Sequence, residues 1–150
     1  WASIARFDSH SKEAAMAVVT AEFQDRKQVV FESRGVSFTN SRERTDDGPT
    51  GFTSSELMMI SLGNCSLGWL LDHEPLVNAE VVRATASLEP LVEPHPTRIV
   101  RVAARYHVEV TDAALLEQRD SMIELLRSCP MGNTLSSVEI DVHLDLHVVS

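Results

Sequence analysis

The chain has 150 residues, 43% of them hydrophobic and 23% charged, with a formal net charge of -9 and an isoelectric point near 5.0. That is enough chain for one domain with a real core, and its composition is that of a globular protein rather than a disordered one. The acidic balance argues against a nucleic-acid binder, which needs basic surface to displace counterions. The two cysteines are too few for a disulfide scaffold, or for a thiolate zinc site without histidines.

In chain order, residues 1–13 mix charges, serines and a few apolar side chains without a period, and are expected to be a loose N-terminal arm of a single 1–150 domain. Residues 14–23 carry β-branched side chains and predict a strand, residues 24–27 a turn, 28–32 a strand, 33–35 a turn and 36–39 a third strand. Three short strands with tight links predict an antiparallel meander. Residues 40–51 are charged and contain Gly48-Pro49, which predicts a flexible loop.

Residues 54–73 predict one long helix. Leu57, Met58, Met59, Ile60, Leu62, Leu67, Trp69, Leu70 and Leu71 leave no wide polar face, and such a helix is expected to be buried. Ser54 or Ser55 is the expected N-cap, and Glu56 suits the first turn, where negative charge meets the helix dipole. Pro75 forces the stop. Glu56, Asn64 and several small or hydroxylated positions interrupt the apolar run, so it falls short of a membrane span. With no signal peptide and no span evident, a cytoplasmic protein is expected.

After Pro75, residues 77–88 predict a strand, 89–96 a proline-rich connection, and 98–110 a long strand. Thr111-Asp112 is an N-cap pair for a second helix over 113–128, ended by Cys129-Pro130. Residues 131–133 are expected to be a mobile turn. Residues 138–149 alternate cleanly, Val138, Ile140, Val142, Leu144 and Leu146 against Glu139, Asp141, His143, Asp145 and His147, and predict a half-buried strand. The order of elements fits an α+β fold.

Two thiols are the main chemical candidates. The plainer reading is two unrelated core cysteines, since free cysteine is among the most buried residue types. The sharper one is a redox pair, because working disulfides in a reducing compartment are usually transient and catalytic. Arg127 lies near Cys129 in sequence and would favour its thiolate. Gly63 and Gly68 around Cys65 do not have nucleophile-elbow spacing. His143, Asp145 and His147 share one strand face at a spacing that could ligate a metal, though a wet strand face is polar in any case. There is no P-loop and no dinucleotide fingerprint.

With both cysteines placed, the chain resembles the OsmC/Ohr family, the osmotically induced and organic-hydroperoxide-resistance proteins. The resemblance covers residues 16–149. It rests on Gly48-Pro49, on Ser54-Ser55-Glu56-Leu57 opening a hydrophobic helix, on Leu62-Gly63-Asn64-Cys65 within it, and on the run from Ser128-Cys129-Pro130 through Met131-Gly132-Asn133 to Thr134-Leu135. The resemblance implies an OsmC-like α+β fold, with antiparallel sheets around a long buried central helix in an intertwined homodimer.

The resemblance also implies thiol peroxidase chemistry on organic hydroperoxides. Cys65 matches the peroxidatic position and Cys129 the resolving one, and an external dithiol restores both. No metal or organic cofactor is required. In the hydroperoxide-reducing branches a glutamate at the helix start holds an arginine over the reactive sulfur. Arg26 falls near the arginine position, with Arg34 the alternative. The glutamate position falls on Ser55, and Glu56 comes one residue late. The rival expectation is a dimeric module of the same fold that binds a small apolar ligand in its interface cleft and has no peroxidase activity.

Overall fold

The computed structural model describes residues 18–149. The expected arm over residues 1–13 and the beginning of the strand expected from residue 14 lie outside them. The chain divides into two compact units, Trp1–Phe52 and Thr53–Ser150.

In the first unit, β1 (Thr20–Asp25), β2 (Gln28–Ser33) and β3 (Val36–Ser41) pair in that order, all antiparallel. This is the meander that the sequence predicts. Arg34 and Gly35 make the turn between β2 and β3, at φ of 54° and 77°. Positive φ at both central residues gives the turn whose twist matches its flanking strands. Phe31 and Phe38 are register partners, and their rings stack at 5.0 Å. Residues 40–51 depart from the expected loop. β3 runs on to Ser41, and β4 (Arg44–Thr45) pairs with β5 (Gly48–Pro49). The Asn40 side chain holds the return of this segment: it accepts from the Phe52 N–H at 2.8 Å and donates to the Phe52 carbonyl at 2.9 Å.

The second unit opens with α1 (Ser54–Leu71). Its N-cap is Thr53 rather than Ser54 or Ser55. The Thr53 hydroxyl accepts from the Glu56 N–H at 3.3 Å, and a Glu56 carboxylate oxygen accepts from the Thr53 N–H. This is a capping box, which satisfies two orphan amides at once. Met59, Leu62, Gly63, Ser66 and Leu70 form the buried stripe of the helix. Met58 and Ile60 remain 39% and 48% exposed among the described residues, so these leave one flank of α1 open.

β6 (Val81–Pro94) and β7 (Thr97–Val110) form a long antiparallel hairpin. The proline-rich stretch read as a connection is mostly strand: Glu89, Pro90, Leu91, Val92, Glu93 and Pro94 all have register partners on β7. Pro90 and Pro94 are tolerated because β6 is an edge strand, where a missing N–H can face away from the ladder. A six-residue 3-10 turn (Ala113–Gln118), capped by Asp112, leads into α2 (Arg119–Arg127), so the expected single helix is two segments. α3 (Pro130–Thr134) follows where a mobile turn is expected. Pro130 at its first position starts this helix, since its fixed φ suits N1 and its missing N–H costs nothing there.

β8 (Glu139–Val148) then pairs parallel to β7, with sheet order β6-β7-β8. Alternation alone does not reveal strand direction, and the helical crossover between β7 and β8 is what a parallel pair requires. Val102, Ala104, Tyr106, Val108 and Val110 of β7 and Val142 and Leu144 of β8 face the core with Leu62, Leu70, Met122 and Leu126. Arg119 ties α2 to the sheet, donating from Nε at 3.0 Å and from a terminal nitrogen at 2.6 Å to the Leu144 carbonyl. Among the described residues, no helix is long and apolar enough to cross a membrane.

Candidate active site

Cys65 lies midway along α1 and is half-buried, whereas Cys129 is 0% exposed. Both are free thiols. Cys129 is the N-cap of α3. Its backbone is extended, and its Sγ accepts from the Gly132 N–H at 3.2 Å. One residue earlier in the same turn, the Met131 N–H points to the Cys65 Sγ at 3.5 Å. A single backbone turn thus addresses both sulfurs, although the cysteines are far apart in sequence.

Gly132 makes this turn fit. A Cβ there would sit 3.0 Å from the Arg127 carbonyl oxygen and 3.3 Å from the Cys129 Sγ. The backbone oxygen cannot easily give way, so glycine lets the amide approach the sulfur. Burial pushes the Cys129 thiol up; the Gly132 amide opposes that rise, and the nearby Cys65 sulfur adds to it. A thiol that keeps its proton is a poor first nucleophile. The more accessible Cys65 is the one that a solute can reach.

The floor beneath Cys65 is fixed. Tyr106 donates to the Ser66 Oγ at 2.8 Å, and Ser66 donates to the Gly63 carbonyl at 3.2 Å. Burial raises the Tyr106 phenol above its ordinary range, partly offset by the bond to Ser66. Farther along α1 the Trp69 and His73 rings lie 4.0 Å apart, and His73 Nδ1 is 2.8 Å from the Trp69 carbonyl. His73 therefore serves the helix C-terminus, as its position suggests.

The other site candidates are placed as follows. Glu56 is exposed at the start of α1, and one of its oxygens also accepts from the Thr53 hydroxyl at 2.8 Å. The Thr53 amide and hydroxyl hold its carboxyl below the ordinary carboxylate range. Ser55 beside it is half-buried. Arg26 belongs to the first unit, on the turn between β1 and β2, where it lines a hollow with Phe23, Asp25 and Arg42. Arg34 is in the next turn of that unit. Thr53 and Tyr106 escape the sequence reading, and Gly132 enters it only within the Met131-Gly132-Asn133 run, without a role of its own. The Thr53-to-Glu56 spacing is a legible capping-box signal, but nothing local marks Tyr106.

On the sheet face away from α1, the candidate trio His143, Asp145 and His147 is rearranged. Asp145 and His147 stay together, but the second imidazole comes from His107 on β7. His143 is the register partner of Arg105 instead. Hydrogen bonds to Glu109 first and Asp145 second hold His107 above the ordinary imidazole range.

No family model matches the sequence, and no curated protein matches it. Solved structures do match. An OsmC-like protein from Mycoplasma pneumoniae superposes with a TM-score of 0.74 at 16% identity, over 89% of this chain and 99% of that one. The chain has the OsmC-like fold. An organic hydroperoxide resistance protein OsmC from Legionella pneumophila, described as a predicted redox protein, matches at a TM-score of 0.61 and 13% identity, covering 91% of this chain and 100% of that one. The organic hydroperoxide resistance protein OhrB of Bacillus subtilis matches at 0.56 and 18%, covering 87% and 96%. The OsmC-like fold agrees with the α+β class expected from the order of elements.

Proposed function

We propose that this chain is a thiol-dependent peroxidase that reduces organic hydroperoxides through Cys65 and Cys129. The observation that carries the reading is the shared α3 turn, whose successive amides meet the two sulfurs at 3.5 Å and 3.2 Å. The names of the OsmC and Ohr structures of the same fold support it.

The Cys65 thiolate attacks the distal oxygen of the hydroperoxide. The O–O bond breaks, the alkoxide leaves and takes a proton to become the alcohol, and Cys65 becomes a sulfenic acid. Cys129 then condenses with it, forming the S–S bond and releasing water. An external dithiol returns two electrons and two protons and restores both thiols. In this reading Arg26 stabilises the charge on the leaving oxygen, with Glu56 as its carboxylate partner, an assignment supported by the family resemblance. The working unit is a homodimer. The exposed Met58 and Ile60 of α1 are apolar surface for a partner to cover.

The test is hydroperoxide consumption with a dithiol reductant. The parent consumes an alkyl hydroperoxide and passes through a Cys65–Cys129 disulfide, visible by peptide mass spectrometry. Cys65→Ser abolishes turnover, and Cys129→Ser leaves a trappable sulfenic acid. A Cys65→Ser variant as fast as the parent overturns the proposal.

The second reading, a dimeric module that binds a small apolar ligand without peroxidase activity, draws on Glu56. Its carboxylate already serves the helix cap, and Ser55 brings no charge. Under that reading, consumption in the parent is no faster than in Cys65→Ser.

A further inference from the structure

The sheet of the second unit has two different faces. Even-numbered side chains of β7 pack toward the helices, as Tyr106 does through Ser66. Odd-numbered ones stand on the opposite face, beside those of β8. The parallel register sets His107 beside Asp145 and Glu109 beside His147. Four chemically matched groups therefore meet on two adjacent strands.

Their contacts form a chain. His107 Nε2 lies 2.9 Å from a Glu109 oxygen, and His107 Nδ1 lies 3.0 Å from one Asp145 oxygen. The other Asp145 oxygen lies 2.7 Å from His147 Nε2. The two imidazole rings are 5.0 Å apart. One ligand atom from each of His107, Asp145 and His147 lies within 4.8 Å of the others.

We propose that His107, Asp145 and His147 bind a borderline divalent transition ion of the Zn2+ class. Two imidazoles and one carboxylate suit such an ion, whereas Mg2+ and Ca2+ prefer oxygen donors. Donors around zinc lie about 2 Å from the metal, so each side chain needs to close in by roughly 1 Å. All three side chains are at least a third exposed, at 34%, 50% and 54%, which leaves them room to do so.

Glu109 completes the arrangement. A ligating histidine usually passes its second ring N–H to a carboxylate, which fixes the ring and raises its basicity. With Nδ1 on the metal, His107 Nε2–H already has that acceptor. The carboxylates of Asp145 and Glu109 carry two negative charges to offset a divalent cation. Three protein ligands leave coordination positions for solvent or solute. The same face holds a shallow hollow lined by Thr85, Ser87, Arg105, His107, His143 and Asp145. This site lies across the sheet from α1 and is independent of the thiol chemistry. A bound ion would clamp β7 to β8.

The test uses Zn2+ on the full chain, followed by imidazole NMR and thermal unfolding. Zn2+ should shift the ring signals of His107 and His147, leave those of His73 and His95 in place, and raise the melting temperature with increasing metal. His107→Ala and His147→Ala should each weaken binding by at least tenfold and remove the melting shift. Glu109→Gln should weaken it by roughly tenfold, the lower end of the usual effect of such a partner. Cys65→Ser should bind as the parent does. Unmoved His107 and His147 signals overturn the proposal, and so does Zn2+ binding that survives His147→Ala but is lost in Cys65→Ser.

Discussion

The Tyr106 phenol donates its proton to the Ser66 hydroxyl across 2.8 Å in the core, tying β7 to α1 one residue past Cys65. The bond fixes how the helix is turned on the sheet, and so where the Cys65 sulfur points. Ser66→Ala should cost about 1–3 kcal/mol, because it strands a buried phenol without an acceptor. Tyr106→Phe should cost about 1 kcal/mol, since Ser66 keeps its bond to Gly63. In a double-mutant cycle by denaturant unfolding the two effects should fall short of additive, as contacting residues do. Strict additivity would mean that the bond carries no energy in solution.

Alkaline pH should destabilise the protein. Cys129 and Tyr106 both have folded-state values raised above the ordinary 9.0 and 10.0. Between each unfolded value and its raised folded value, the unfolded chain has released a proton that the native chain retains. Stability is therefore full below about pH 9 and falls as pH rises through the folded values. Denaturant midpoints measured from pH 7 upward should show the decline, and Cys129→Ala should remove its earlier part. A profile unchanged in Cys129→Ala would show that this thiol does not contribute.

Gly132→Ala places a methyl group 3.0 Å from the Arg127 carbonyl oxygen. The α3 turn must shift to relieve that contact, and its amides move with it. Under the proposed mechanism, closure of the Cys65–Cys129 disulfide should slow by roughly tenfold or more, of the order that misplaced reacting groups cost. Sulfenic acid on Cys65 should build up in its place. Stopped-flow mixing with hydroperoxide and a sulfenic-acid trap measures both, and closure at the parental rate would show that the turn does not set the approach.

The two candidate positions at the head of α1 separate cleanly. Thr53→Ala removes the N-cap and should cost about 1 kcal/mol, with little effect on turnover. Ser55→Glu should speed hydroperoxide reduction if the resemblance aligns the missing carboxylate correctly. Glu56→Gln should lower helix stability and, with Arg26 losing its carboxylate partner, slow turnover as well. A crippled Glu56→Gln together with a silent Ser55→Glu would assign the arginine-holding role to Glu56.

Much of the fold could be read from local pattern. The meander, α1 and the alternation of β8 follow from apolar period and turn residues, which act over a few positions. Strand direction did not, because β8 looks the same in parallel and antiparallel pairing. The strand character of residues 89–94 was hidden by prolines, which count against a strand only where it has neighbours on both sides. At the site, the thiols were visible as residue types. Their approach through Met131 and Gly132 depends on a backbone turn that pairs residues distant in sequence. His143, Asp145 and His147 share a strand face in sequence, but the imidazole that meets Asp145 from the neighbouring strand is His107, and strand pairing of that kind is not written in local spacing.

The parallel pairing of β8 with β7 has a kinetic side. The segment carrying Cys129 is the crossover between those strands, so it cannot settle until β8 finds its register. Long-range pairings of that kind form slowly, because the loop must close before any contact rewards it. The helix carrying Cys65 can form and pack on the β6–β7 hairpin earlier. During refolding, the two thiols become neighbours only as this last strand docks. The rate at which a Cys65–Cys129 crosslink becomes formable is therefore a clock for completion of the sheet.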